Sequence, residues 1–316
     1  MKIFLKNILN FTLPLIVLGV ISFGLLNFLN KQRIDFKIAS NVSNLYIGDS
    51  HVQSAINDSL LPNSFNLASS SEAFYYTYYK LKKLIENNPS IKKVYLSFGH
   101  NSISGYYDRF IFGDYSSVIA PKYFYVLPFS EQCRMVYWNR NNLLTFLKSI
   151  FKIREENSLK FDEESFFGGF YNKFDTSRAV VSTMDKRLDV QFYSNNELYY
   201  FSNLNIDYLD KMIDLCQTKD IELIALNTPL YPYYHKKLPT QYKEKFCELI
   251  NERQLYFIDL STLKLSENNY VPDGDHVSKT GANKTTLKLL EIINQNIKTP
   301  CIVNLTDSAD FKLKPL

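Results

Sequence analysis

The sequence is poor in the residues that build metal centres and disulfide frameworks. Four cysteines and four histidines occur among 316 residues. The cysteines, Cys133, Cys216, Cys247 and Cys301, are far apart and show no C-x-x-C spacing, so a zinc site is not expected. Cys216 and Cys247 lie in apolar helical stretches and are predicted to be small core residues. A disulfide stays open, because spacing alone does not pair the cysteines.

The sequence also lacks basic blocks, internal repeats and low-complexity segments. The net charge is +4, and the lysines are scattered through amphipathic stretches, so no nucleic-acid partner is expected. With 46% hydrophobic residues, the chain is long and apolar enough to bury a sizeable core. We expect a folded protein without a metal or a cofactor.

Charge is absent from residues 7–30, and Ile8–Leu29 consists mostly of Leu, Ile, Val and Phe. About 22 residues in a helix span roughly 33 Å, enough to cross a bilayer core. No polar face and no small-x-small site are present, so a single-pass membrane anchor over 1–30 is predicted rather than a core helix or a cleaved signal peptide. Lysines and arginines nearly balance across this stretch. A short tail before a globular domain favours an extracytoplasmic domain.

The remaining pattern predicts an α/β fold, a three-layer α/β/α sandwich around a mainly parallel five-stranded sheet. A connector at 31–42 would lead into a domain at 43–299, followed by a tail at 300–316. Predicted strands cover 44–47, 64–67, 93–98, 221–226 and 255–260, and predicted helices cover 72–88, 206–217, 240–252 and 279–296.

An insertion at about 102–203 separates the third and fourth predicted strands. Insertions of this length usually form lids or binding elements. It contains a predicted helix at 143–152 and a Gly168-Gly169 pair flanked by Phe166, Phe167, Phe170 and Tyr171. Such aromatic side chains can stack on sugar rings, but a core role is the commoner one.

Three short motifs carry the chemistry: Gly48-Asp49-Ser50-His51, Gly99-His100-Asn101 and Asp273-Gly274-Asp275-His276. The first two follow predicted strands, at the edge where parallel sheets build their sites. Each motif alone fits an ordinary turn or helix cap. Together they hold the parts needed for acyl transfer.

Ser50 is the predicted nucleophile and His276 its base. Asp273 is the predicted orienting acid, because a carboxylate three residues upstream on a tight turn can curl back to the imidazole. Asp275 is a competing candidate for that role. The order Ser, Asp, His is one known way of building a triad.

Asn101 is expected to donate its side-chain amide to the oxyanion. His51, beside the nucleophile, and His235, which follows the fourth predicted strand, are candidate substrate contacts. The His and Asp residues of the motifs lack the ligand-rich blocks of binuclear phosphoesterases, so no metal site is predicted.

Taken together, the motifs resemble those of the SGNH (GDSL-type) hydrolase superfamily. The resemblance covers roughly 43–100 and 204–297 and implies the roles given above, with the Ser50 N–H also in the oxyanion hole. The sequence departs from the superfamily pattern in two places. The second sequence block of the superfamily normally offers a glycine whose N–H points at the oxyanion, but the matching stretch here, Asn66 to Ser71, has no glycine. Ser70 or Ser71 would then supply this second oxyanion-hole N–H, with Ser71 preferred. The third block has Ser102 where Asp is usual.

The anchor and the insertion are similar in layout to membrane-tethered members that move acyl groups on extracytoplasmic polymers. This likeness implies a serine esterase acting on O-acylated, chiefly O-acetylated, cell-envelope or exported polysaccharide. The alternatives are an O-acyltransferase with the same triad, served by a membrane acyl-donor protein, and a non-catalytic glycan-binding or assembly protein.

Overall fold

The computed structural model describes residues 1–157 and 167–295. The predicted tail at 300–316, Phe166, Cys301 and the end of the last predicted helix at Asn296 lie outside these residues.

The strands and helices predicted outside the insertion are present, and the chain forms further helices, mainly within the insertion, and a short hairpin. The helices are Lys2–Arg33 (α1), Ser50–Ala55 (α2), Phe74–Asn87 (α3), Arg109–Phe112 (α4), Ser116–Tyr123 (α5), Phe129–Trp138 (α6), Leu143–Asn157 (α7), Val181–Phe192 (α8), Asn203–Thr218 (α9), Pro232–Lys237 (α10), Thr240–Glu252 (α11) and Lys279–Gln295 (α12). The strands are Asn44–Ile47 (β1), Ser64–Asn66 (β2), Lys93–Ser97 (β3), Tyr193–Ser194 (β4), Glu197–Leu198 (β5), Glu222–Asn227 (β6) and Tyr256–Asp259 (β7).

Five strands form one parallel sheet in the order β2-β1-β3-β6-β7. The chain moves outward from β1 to β2 and then returns across β1 to β3. This reversal opens a crevice at the carboxyl ends of β1 and β3, where ligands of open α/β sheets bind. The predicted α/β fold with a five-stranded parallel sheet is confirmed, and the short β4–β5 hairpin lies apart from that sheet.

Alternating side chains of the strands build a core on each face of the sheet. Leu45 and Ile47 of β1 pack with helices α3, α9 and α11, whereas Tyr46 faces the opposite side with α2 and α12. The Tyr46 and Tyr95 rings of neighbouring strands stack at 4.4 Å. Because both faces are covered, the strand ends are held rigidly.

The N-terminal helix is long and apolar enough to span a membrane, with a mean hydropathy of 2.2 over Lys6–Gln32. It runs to Arg33, three residues beyond the predicted 1–30 boundary. Its last turns dock on the insertion: the Asn27 and Gln132 side-chain amides exchange hydrogen bonds of 2.7 and 2.9 Å. This reciprocal pair satisfies two buried polar side chains and joins the helix to the domain.

Cys247 takes part in a disulfide bond. Its side chain is partly buried against the core, as expected of a small core residue, and it forms the kind of disulfide that the cysteine spacing left open. Cys216 is a free and fully buried thiol, as that expectation required.

A buried ion pair supports the loop of the second block. Lys80 Nζ lies 2.5 Å from Glu72 Oε2 and donates to the carbonyl oxygens of Leu67 and Phe167 at 2.6 and 3.1 Å. Both charged side chains are completely buried. Lys80 therefore joins the α3 helix, the second-block loop and the insertion.

Lys80→Met should lower the free energy of unfolding by about 3–5 kcal/mol, because it leaves the Glu72 carboxylate buried without its partner. Urea denaturation of the full chain in detergent measures this change. Lys83→Met on the same helix removes only an exposed pair with Glu86 and should cost less than about 1 kcal/mol. Equal effects of the two substitutions would contradict the structural role of Lys80.

Candidate active site

Ser50 lies at the tight turn from β1 into α2. Gly48 has φ +111°, and a Cβ there would approach Ser97 Cβ to 2.6 Å, so only glycine fits between the β1 and β3 strand ends. Asp49 caps α2 by accepting from the His51 backbone N–H. Ser50 is the first residue of the helix, so its backbone N–H is among those without an intrahelical acceptor.

His276 lies in hydrogen-bond contact with Ser50, although the two residues are 226 positions apart. Its Nε2 is 2.8 Å from Ser50 Oγ, and its Nδ1 is 2.9 Å from Asp273 Oδ2. When Nδ1–H donates to Asp273, Nε2 is left as an acceptor for the Ser50 hydroxyl. This is the geometry of a serine nucleophile beside its base and an orienting acid.

A second carboxylate, Asp275, lies against the same imidazole. Its Oδ1 is 3.1 Å from His276 Nδ1, but within the described residues this oxygen makes no well-aligned hydrogen bond. Its Oδ2 accepts from Arg187 Nε at 2.8 Å and from Gln191 Nε2 at 2.9 Å. Asp273 therefore orients the ring, whereas Asp275 acts on it through charge.

His51 is buried behind His276 and does not line the cleft around Ser50. The two imidazoles stack at 4.6 Å, with 16° between their planes. His51 Nδ1 is 3.0 Å from Asp49 Oδ2, and its Nε2 is 3.3 Å from Asp275 Oδ2. Both ring nitrogens face carboxylates inside the protein, so this geometry gives no support to the predicted substrate contact.

The carboxylates shift the basicity of this cluster. Burial opposes the charged imidazolium, but Asp275 and then Asp273 raise the pKa of His276 above its ordinary value. Burial likewise opposes ionisation of Asp275, but Arg187 and then His276 bring the pKa of Asp275 well below its usual range. The site thus stabilises the imidazolium that forms when His276 accepts a proton.

Asn101 is buried just past the end of β3 and does not line the Ser50 cleft. Its Nδ2 donates to Tyr107 Oη at 3.1 Å and lies 3.5 Å from Asp49 Oδ2. The Tyr107 hydroxyl donates to Asp49, which also accepts from Ser97 Oγ at 2.6 Å. The expected oxyanion donor is therefore engaged within the protein, and Tyr107 stands between it and the cleft.

Ser71 has the left-handed backbone conformation that glycine usually supplies, with φ +61°. It lines the cleft around Ser50. Its N–H donates to no acceptor among the residues that the structure describes. Ser71, the residue expected to supply the second N–H, thus has a backbone conformation that usually requires glycine.

These residues surround an open cleft of about 300 Å³, named here the Ser50 cleft. It is lined by Ser50, Gln53, Ser54, Ser70, Ser71, Tyr106, Tyr107, Tyr171, Asn172, Lys173, Phe174, Arg187, Val271, His276 and Val277. Serine, aromatic and cationic side chains dominate this lining. The insertion contributes about half of it.

Three side chains in and behind the Ser50 cleft have metal-ligating atoms close together. Ligand atoms of His51, Asp275 and His276 lie within 4.8 Å of one another. Their hydrogen bonds to Asp49, Arg187, Gln191 and Asp273 already orient them, and His276 Nε2 faces Ser50. The contacts fit a proton-transfer network better than a coordination shell.

His235 and His100 lie apart from this network. Their rings meet at 6.4 Å, and His100 also packs on Phe246 at 4.4 Å. Burial lowers the pKa of His100 to about 3, so this ring stays neutral. His235 does not line the Ser50 cleft, so its position gives no support to the predicted substrate contact.

Sequence reasoning missed Tyr107, Arg187 and Gln191, all from the insertion. No local motif surrounds them: Arg187 and Gln191 are two polar residues of an amphipathic helix, α8. Asp275 could be found from the sequence, because it lies within the Asp273–His276 motif. From the sequence alone it is only an alternative candidate for the orienting acid.

Comparisons with known proteins identify no family for this chain. A family model matches residues 145–298, just under half of the chain, and states no function. No curated protein matches the sequence.

Three solved structures superpose on most of the chain. One is a candidate acylhydrolase from Bacteroides fragilis, with TM-score 0.40 and 9% identity over 84% of this chain and 93% of that one. A GDSL-like lipase from Bacteroides thetaiotaomicron has TM-score 0.38 and 10% identity, covering 85% and 95%. A candidate platelet activating factor from Streptococcus pneumoniae has TM-score 0.36 and 12% identity, covering 88% and 98%. Because these TM-scores are low, the interpretation of the site rests on the contacts within this structure alone.

His276 should titrate above the ordinary histidine value of about 6.5, because the carboxylates favour its protonated form. With four histidines in the chain, the NMR spectrum of ¹³C-histidine-labelled protein is simple enough to follow each ring. Asp275→Asn should move the midpoint of His276 to lower pH. Asp189→Asn, on the exposed face of α8, should leave it unchanged. A midpoint in Asp275→Asn at or above that of the unmodified protein would contradict this assignment.

Proposed function

We propose that the protein is a serine-dependent acyl-ester hydrolase of the SGNH type. The contact between Ser50 Oγ and His276 Nε2 at 2.8 Å carries this proposal, because it joins two remote motifs in one nucleophile–base pair. Asp273 on the opposite ring nitrogen completes the set. The placement of these residues at the crevice of a parallel sheet supports the same conclusion.

The reaction has two steps. Ser50 Oγ forms a bond with the ester carbonyl carbon while His276 Nε2 takes the hydroxyl proton. The bond from that carbon to the alcohol oxygen then breaks, and His276 returns the proton to the leaving alcohol. In the second step water attacks the acyl-serine, His276 accepts a proton from it, and the acid departs as Ser50 regains its hydrogen.

The oxyanion is held by backbone N–H groups in this proposal. Ser50 supplies one from the start of α2, where the helix dipole also favours negative charge. Ser71 supplies the second, supported by its left-handed turn and its place in the cleft. Asn101 joins them if substrate displaces its amide from Tyr107.

We assign the substrate to O-acylated, chiefly O-acetylated, cell-envelope or exported polysaccharide. Aromatic faces in the Ser50 cleft, among them Tyr106, Tyr171 and Phe174, suit sugar rings. The membrane-spanning α1 would place the domain at the membrane, outside the cytoplasm, where a membrane acyl-donor protein could also serve it. Labelling of the exposed Cys133 thiol by an impermeant maleimide in intact cells tests whether the domain lies outside the cytoplasm.

Ser50→Ala should lower kcat/KM for p-nitrophenyl acetate at least about 10³-fold, because the nucleophile is lost. The full chain in detergent is compared with Ser50→Ala and with Ser59→Ala, which removes an exposed hydroxyl outside the cleft. Ser59→Ala should match the unmodified protein.

The acceptor decides between hydrolase and transferase. Free acetate from an O-acetylated polysaccharide identifies water as the acceptor, whereas acetyl transfer to an added oligosaccharide identifies a sugar hydroxyl. Equal rates in Ser50→Ala and the unmodified protein, with both folded, would contradict the serine mechanism. Binding of glycan without any Ser50-dependent chemistry would indicate an assembly protein instead.

A further inference from the structure

Arg187 stands in the wall of the Ser50 cleft with most of its donors unused. It projects from α8, and its Nε–H donates to Asp275 Oδ2 at 2.8 Å. Within the described residues, its other N–H groups donate to no protein acceptor, although a guanidinium presents a fork of such donors. Its side chain keeps 24% of its surface exposed, on the side of the cleft.

The contact with Asp275 orients the Arg187 guanidinium and leaves its other N–H donors available to a ligand. Asp275 also accepts from Gln191 at 2.9 Å and faces His51 Nε2 at 3.3 Å, so Arg187 is one of several groups that compensate its charge. An arginine held by one nitrogen is already oriented when a ligand arrives, so binding costs less side-chain entropy.

The basic side chains of the cleft wall also favour binding of an anionic group. Lys173 is the second basic side chain of the lining, and no Asp or Glu belongs to the lining within the described residues. Planar forks of N–H groups recognise carboxylate, phosphate and sulfate oxygens in pairs. Because Arg187 and Ser50 line the same cleft of about 300 Å³, an anion bound by Arg187 shares that cleft with the scissile ester.

We propose that Arg187 is a specificity residue that binds an anionic group of the substrate next to the scissile ester. The substrate class is then an acyl ester carrying a carboxylate, phosphate or sulfate, in either the acyl or the alcohol portion. This inference rests on the proposed esterase function and adds to it the charge of the substrate.

Matched ester pairs test the proposal on the full chain in detergent. Charge on the acyl side is examined with p-nitrophenyl hemisuccinate against p-nitrophenyl butyrate. Charge on the alcohol side is examined with 4-acetoxybenzoate against methyl 4-acetoxybenzoate. In each pair the ratio of kcat/KM for the anionic to the neutral ester is recorded, because damage to the triad lowers both members and leaves the ratio unchanged.

Arg187→Gln should reduce that ratio about 10- to 100-fold for at least one pair, the loss expected for a hydrogen-bonded charge. Arg187→Lys keeps the charge without the planar fork of donors, so its ratio should lie between those of Arg187→Gln and the unmodified protein. This second variant keeps the test valid if Arg187→Gln misfolds. Lys186→Gln is the control, because it removes one positive charge from the exposed side of the same helix. Its ratio should stay within about twofold of the unmodified protein, as expected for a screened surface charge.

The outcomes separate the two claims. An unchanged ratio in Arg187→Gln, or equal losses in Arg187→Gln and Lys186→Gln, overturns the role of Arg187 while the esterase stands. If no ester is turned over, calorimetric binding of 4-acetoxybenzoate decides: binding lost only in the Arg187 variants supports the anion site without the esterase. Absence of binding to the unmodified protein then overturns the site as well.

Discussion

The fully buried carboxylate of Asp275 is the constraint on which the arrangement of the site depends. A buried charge is tolerated only when donors and opposite charges surround it. Here those groups come from three parts of the chain: Arg187 and Gln191 from α8, His51 from α2, and His276 from its own motif. Compensating one carboxylate therefore brings the nucleophile turn, the base and the insertion together.

The insertion consequently builds the site rather than only covering it. Its Tyr107 hydroxyl holds Asp49 behind Ser50, and Gly169 N–H donates to the Ala68 carbonyl of the second block at 3.1 Å. Lys122 Nζ donates to Ser69 Oγ at 2.6 Å on the same loop. Burial, with Lys80 nearby, lowers the pKa of Lys122 to about 7. The loop that presents Ser71 is thus held from the insertion side.

Much of the fold could be predicted from the sequence, because the sheet depends on local patterns. Apolar runs marked all five parallel strands, and the turn residues after β1 and β3 marked the edge that holds the site. The proximity of Ser50 to His276 followed from recognising three motifs together. The left-handed turn at Ser71 was not visible in the sequence, since serine rarely adopts it.

The rest of the site depends on long-range side-chain packing, which no local pattern encodes. The stacking of His51 on His276 and the approach of Arg187 to Asp275 join segments tens to hundreds of residues apart. The Tyr107 hydroxyl engages the nearby Asn101 amide but also reaches Asp49 on the nucleophile turn, 58 residues away. The position of His235 likewise depends on packing between segments, because its ring meets that of His100. The role of Cys247 depended on a partner that spacing does not reveal.

The central claim is that Ser50, activated by His276, forms a covalent acyl intermediate. Treating the full chain with a fluorophosphonate and mapping the adduct by peptide mass spectrometry measures this most directly, because such reagents modify activated serines. We expect one adduct, on the peptide that contains Ser50, and a strong reduction of this adduct in His276→Ala. An adduct confined to another residue in a protein that hydrolyses esters, or labelling of Ser50 that is indifferent to His276, would contradict it.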